Sequence, residues 1–153
     1  MSLARPAEVA RVKKVSEVQT REPIVVGTDG SERADRAVDR AGVIASALGT
    51  TVHVVSCYSI YLAPAVEPGS ERVLAEQSVD RAQQRLANLG VESEGHLRPG
   101  EAGRALVQIA EEQGAQMIVV GNRGMTGARR VLGSVPNHVS HHAPCDVLIV
   151  STT

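Results

Sequence analysis

What most restricts the folding of this chain is a regular exchange between two periodicities. From Pro23 onward, apolar runs of strand length alternate with longer stretches in which apolar residues recur every three or four positions. "PIVVGT", "TVHVVSCYS", "AQMIVVG" and "CDVLIVS" read as buried strands, and the alternating "VESEGHL" reads as one more, third in chain order. After the first strand, Ala34, Ala37, Val38, Ala41, Ile44, Ala45 and Leu48 fall at helical spacing, with Ser31 placed to cap that helix and Gly49 to stop it. Tyr61 to Gly69 carries two prolines and reads as a loop. A longer helix from Ser70 to Leu89 sets Val73, Leu74, Gln77, Ala82, Leu86 and Leu89 along one side. The next helix turns Ala102, Leu106, Ile109 and Ala110 inward, and a last one over Leu132 to His142 admits Pro136 only in its first turn. The pattern β-α-β-α-β-α-β-α-β predicts an α/β fold, an open five-stranded parallel sheet with helices on both faces.

Composition narrows the function classes. The 153 residues suit one domain, and residues 1–22, mixed in charge and without a clean period, read as a polar leader before a single domain over 23–153. With 16 basic and 17 acidic residues, net charge gives no footing for nucleic acid or a membrane surface. No apolar run approaches the roughly 20 residues of a membrane span, and the start lacks a secretory pattern, so the expectation is a cytoplasmic protein. Tyr58 and Tyr61 are the only aromatic residues among Phe, Trp and Tyr, which removes the stacking platform used on single strands. The only lysines are Lys13 and Lys14, so neither a Schiff-base lysine nor a Walker lysine has a place in the domain. Cys57 and Cys145 lie far apart in strand-like sequence and read as buried thiols.

In open α/β sheets a ligand binds beyond the carboxyl ends of the strands where strand order reverses. Two strand ends carry unusual loops, "GTDGS" (Gly27 to Ser31) and "GNRG" (Gly121 to Gly124). If the first and fourth strands are neighbours, both loops line one crevice. Glycines at 121, 124, 127 and 133 allow a nest of backbone N–H groups, and a helix beginning at Gly133-Ser134 would aim its free N–H groups at the same place. Spacing alone leaves two readings open, an anion cradle that needs no lysine and a plain surface connection. Asp29 suits either a ligand contact or an Asx turn. His138 and His142, four apart with His141 beside them, suit a solvated or interface helix better than zinc, because no third ligand is evident. Arg123, Arg129 and Arg130 suit either phosphate oxygens or a loop face that is solvated or meets acidic groups across a dimer; Arg123, between the first two motif glycines, is the best placed of them to meet a phosphate.

"VVGTDGSERADRAVDRA" and "VVGNRGMTGARRVLGSVPNHVSHHAPCDVLIV" resemble the universal stress protein family over roughly Pro23 to Val150. The nucleotide-binding branch of that family carries G-x2-G-x9-G-[ST]; here Gly121-x2-Gly124 is followed by eight residues and then Gly133-Ser134, one residue fewer. The resemblance implies strand order 3-2-1-4-5 and an adenine nucleotide, ATP with Mg2+ held by its phosphates, as ligand. It places Gly27 and Asp29 beside the adenosine, Val52 against the adenine, and Val120 and Gly121 along the nucleoside. Gly124, Gly133, Ser134 and Val135 would hold the phosphates. It further implies a homodimer paired through the last strand, Cys145 to Ser151, and a role in stress response by binding and conformational signalling. Catalysis would extend at most to slow ATP hydrolysis or autophosphorylation. Two other readings stand beside this one, a cyclic-AMP sensor or reservoir and a dimeric adaptor that binds no nucleotide.

Overall fold

The computed structural model describes residues 22–60, 67, 69–122 and 132–152. Among these, the elements in chain order are β1 (Ile24–Gly27), α1 (Glu32–Leu48), β2 (Val52–Tyr58), α2 (Ser70–Asn88), β3 (Ser93–Pro99), α3 (Ala102–Gln113), β4 (Met117–Asn122), α4 (Ser134–His142) and β5 (Asp146–Ser151). All strand pairs are parallel and the order is β3-β2-β1-β4-β5. The leader and most of the Tyr61 to Gly69 stretch lie outside the described residues.

β1 is the axis of the molecule, flanked on both sides and covered on both faces. Successive side chains of a strand point to opposite faces, so its run divides between two cores. Ile24 and Val26, with Val52, Val54 and Val119, meet Ala37, Val38, Ala41 and Ala45 of α1 and Val79, Ala82 and Leu86 of α2. Val25, with Val55, Ile118 and Val120, meets Ala105, Leu106, Ile109 and Ala110 of α3 and Val139 of α4. Burying each Val, Leu or Ile fully contributes on the order of 1.5–3 kcal/mol, and this is why the central strands read as unbroken apolar runs.

The punctuation residues act as expected in α1. Ser31 Oγ accepts the Ala34 N–H at 3.2 Å, and Gly49 closes the helix in the left-handed region at φ 64°. Pro136 is the third residue of α4, inside the first turn, where its missing N–H costs no helical hydrogen bond. That helix begins at Ser134, two residues later than its periodicity suggests. β3 is shifted later at both ends, because it pairs with β2 from Val52↔Ser93 to Tyr58↔Pro99; an edge strand tolerates the proline.

One expected face is wrong. α2 does not turn Val73, Leu74 and Leu89 inward; they are 50%, 61% and 43% exposed, and Gln77 is exposed with them. Its buried face is Ala75, Ser78, Val79, Ala82 and Leu86. Two tertiary features set that rotation. Gly30 and Gly95 leave hollows in which an added Cβ would sit 2.5 Å from Ser78 Oγ and 2.4 Å from Val79 Cγ1. The guanidinium groups of Arg81 and Arg85 reach the carboxylates of α1: Arg81 and Arg85 on the buried Asp35, and Arg85 on Asp39 through bonds of 2.9 and 2.6 Å.

Candidate functional site

The strand order reverses between β1 and β4, and the carboxyl ends of those two strands open into one cleft of about 280 Å³. Its floor and walls come from Gly27, Thr28 and Asp29 after β1, from Val120, Gly121 and Asn122 of β4, and from Gly133 to Pro136 at the start of α4. Val55, Leu106 and Thr152 close the apolar side, and Arg33 of α1 also lines the cleft.

The loop after β1 is built by short-range hydrogen bonds. Thr28 N–H donates to Val55 O at 2.9 Å, extending the sheet by one rung. Gly30, at φ 77°, lets the chain turn so that its own N–H reaches Thr28 Oγ1 at 3.1 Å. Asp29 Oδ1 accepts the Ser31 N–H at 3.0 Å and the Ser31 hydroxyl at 2.5 Å. This is the Asx-turn arrangement, and it leads directly into the Ser31 cap. Asp29 therefore shapes the loop and lines the cleft at once.

Asn122 ties the two halves of the far wall together. It is buried at the last position of β4; its Oδ1 accepts the Gly133 N–H at 3.4 Å, and its backbone carbonyl accepts the Thr152 hydroxyl. The nine-residue α4 thus starts against the strand it follows. The first N–H groups of a helix have no acceptor within it; here Pro136 has none to offer and Gly133 N–H is directed to Asn122, which leaves Ser134 and Val135 as the donors of the first turn. No acidic residue occupies that turn, so the partial positive charge of the helix end is not offset locally.

The glycines of the motif have different reasons to be glycine. A Cβ at Gly27 would stand 3.1 Å from Leu106 Cδ1, and one at Gly121 would stand 3.1 Å from Thr152 Cγ2, so both permit close packing within the chain itself. Gly133 is different: its φ is −60°, and the nearest atom to an added Cβ is Pro136 Cδ at an ordinary 3.6 Å. Among the described residues, nothing requires glycine there, and the position lines the cleft.

Of the residues singled out from sequence, the structure brings Gly27, Asp29, Val120, Gly121, Gly133, Ser134 and Val135 to this cleft. Val52 is not among them. Its register partner is Ile24, three residues before the end of β1, so it sits about 10 Å below the strand ends at a rise of roughly 3.3 Å per residue, fully buried in the α1–α2 core. The β2 residue at the cleft is Val55, opposite Gly27. Arg123 and Gly124, like Arg129 and Arg130, lie outside the described residues. Sequence reasoning missed Thr28, Arg33, Asn122 and Thr152. Asn122 carried a usable signal, a polar residue ending an apolar strand inside the glycine motif; Arg33 and Thr152 carried none, since only packing brings them there.

The other candidates resolve plainly. His138 and His142 stack at a 4.3 Å centroid distance, and His141 and His142 each turn Nδ1 to the carbonyl four residues back, at 2.8 and 2.9 Å. Cys57 and Cys145 are free, half-buried thiols. Burial pushes both thiol pKa values up, opposed at Cys57 by the Arg98 guanidinium and reinforced at Cys145 by the Asp146 carboxylate. Among the described residues, no helix is long and apolar enough to cross a membrane.

Fold and cleft together define a doubly wound α/β protein with a crevice at the switch point between β1 and β4. The chain belongs to the universal stress protein family, whose pattern it matches over residues 20–151. A universal stress protein of Mycobacterium tuberculosis (strain H37Rv) is 39% identical over 145 residues, covering 85% of this chain and 96% of the relative. Among solved structures, a universal stress protein in complex with cAMP superposes with a TM-score of 0.72 at 33% identity, covering 86% of this chain and 98% of the other. The universal stress protein from Archaeoglobus fulgidus in complex with dAMP does so with a TM-score of 0.68 at 30% identity, covering 84% of this chain and 96% of the other.

Proposed function

We propose that this chain is a small cytoplasmic adenine-nucleotide-binding protein, acting in stress response by binding and conformational signalling, with residues 23–153 as its binding domain. The observation that carries the reading is the convergence of Gly27–Asp29, Val120–Asn122 and the start of α4 on one cleft, lined by a Gly133 that no other described residue requires to be glycine. The adenosine would lie against Val120 and Gly121 beside Asp29, and the phosphates would take the Ser134 and Val135 N–H groups and the Ser134 hydroxyl. This donor set suits phosphate oxygens and contains no group of carboxylates to hold a metal, so any Mg2+ would ride on the phosphates of ATP. Asp29 already accepts two hydrogen bonds from Ser31, and no lysine is present in the domain to stabilise a transferring phosphoryl group. Both features favour a binding module over an efficient catalyst.

Cyclic AMP is the second reading. It is favoured by the cAMP-bound relative at 33% identity and by the eight-residue spacer between Gly124 and Gly133. A homodimer through β5 is part of the same proposal: β5 is an edge strand, and its Val147, Leu148 and Ile149 remain only half-buried in the single chain.

Calorimetry on nucleotide-free protein tests the reading. Saturable heat with ATP and Mg2+, abolished by Gly124→Val, supports it; tight cyclic AMP beside weak ATP selects the second form. Absence of heat with ATP, ADP, AMP and cyclic AMP would overturn both and leave the adaptor. Light scattering after gel filtration decides the dimer, a mass of one chain at all concentrations refuting it.

A further inference from the structure

Outside the cleft, one cluster of side chains has the composition and spacing of a metal site. His53 on β2 and Glu94 and His96 on β3 belong to neighbouring strands, registered His53↔Glu94 and Val55↔His96. His53 Nδ1 lies 2.8 Å from His96 Nε2, and His96 Nε2 lies 3.8 Å from Glu94 Oε1. All three ligand atoms fall within 4.8 Å of one another. A tetrahedral ion bound at about 2.0–2.1 Å needs its ligand atoms roughly 3.3–3.4 Å apart. The two His96 spacings straddle that value, and rotation of the exposed Glu94 side chain would bring its carboxylate to the ion.

We propose that His53, His96 and Glu94 form a binding site for a divalent transition metal of the Zn2+ class, with water as fourth ligand, clipping the edge strand β3 to β2. Both imidazoles are buried and Glu94 is 67% exposed, so the carboxylate stands at the open side of the site, where the ion and its water enter. Burial lowers the pKa of His53 and of His96, keeping both rings neutral with a lone pair available for a metal. Of the neighbouring charges, Glu94 and Glu112 favour a cation beside His96, and Arg98, which opposes one, is paired with Glu112 at 3.5 Å. Two imidazoles and one carboxylate make a donor set that suits Zn2+ and leaves a position open. Without the ion the two rings share a single hydrogen bond between nitrogens, which the ion replaces by two coordinate bonds.

The site is separate from the His138–His142 pair on α4, and the test must tell the two apart. Tag-free, chelator-stripped full-length protein is titrated with ZnCl2 alone by calorimetry, and with Co2+ for its visible absorption. The expected result is one ion per chain, a tetrahedral Co2+ spectrum and a raised Tm. Binding is lost in His96→Gln and in His53→Asn, and weakened about tenfold or more in Glu94→Gln, whose exposed position leaves the fold intact by circular dichroism. It is retained in the His138→Asn, His142→Asn double variant. Stoichiometric binding that survives His96→Gln, that disappears in the α4 double variant, or that is absent from the unaltered protein overturns the proposal. None of these outcomes depends on whether the cleft takes a nucleotide.

Discussion

Replacing Gly133 by serine should make the protein more stable and a poorer nucleotide binder. Gly133 is the N-cap of α4, with φ −60°, ψ 167° and no side-chain cap hydrogen bond. Serine adopts that backbone without strain, its Cβ meets only Pro136 Cδ at 3.6 Å among the described residues, and its hydroxyl can accept an N–H of the first turn. Reduced freedom of the unfolded chain contributes about 0.4–1 kcal/mol and the cap a few tenths more. For a domain of this length about 1 kcal/mol raises Tm by roughly 2–4 °C, readable by calorimetry or thermal denaturation. Because Gly133 lines the cleft, the added side chain should compete for the N–H groups assigned to phosphate. Losing one hydrogen bond to a charged group costs about 1.5–3 kcal/mol, so the nucleotide Kd should rise roughly 10- to 150-fold. Unchanged affinity in a stabilised variant would refute the cradle. A lowered Tm would refute the cap geometry from which the cradle is argued.

Further expectations concern the scaffold. Asp35→Ala removes a buried carboxylate shared by Arg81 and Arg85; because both arginines are partly exposed and can be rehydrated, the loss should be about 1–2 kcal/mol in a urea titration. Gly95→Ala places a Cβ 2.4 Å from Val79 Cγ1, so overpacking of α2 on β3 should cost about 1–3 kcal/mol; a neutral result would mean that α2 docks elsewhere. Cys57 and Cys145 should react slowly with thiolate-selective reagents near neutral pH, since the raised pKa values move the rise in thiolate to higher pH than in a free cysteine; a labelling midpoint at or below that of a free cysteine contradicts this.

Much of this molecule was legible in local sequence because local physics decides it. A strand buried on both faces must be apolar throughout, so "PIVVGT" and "AQMIVVG" were readable without partners. Ser31, Gly49 and Pro136 act through their own turn of chain, and their roles held. The site was legible where it coincides with strand ends: Gly27, Asp29, Gly121 and Ser134 meet in one cleft because strand ends and helix starts at a switch point converge there.

Helix faces were harder. α2 carries two apolar stripes, and propensity cannot choose between Val73 with Leu74 and Ala75 with Val79. The hollows at Gly30 and Gly95 and the carboxylates of Asp35 and Asp39, more than ten residues away in every case, make that choice. Register was likewise beyond local reach: one strand slides past another without changing its own pattern, so Val52 lies below the cleft and Val55 beside it. The same cross-strand pairing sets His53 against Glu94 and His96, residues 41 and 43 positions apart that no local motif connects. Sequence alone determined the elements, their caps and the strand ends that open into the cleft. The tertiary structure decided which faces meet and which residues become neighbours, because those depend on contacts between segments that no short stretch contains.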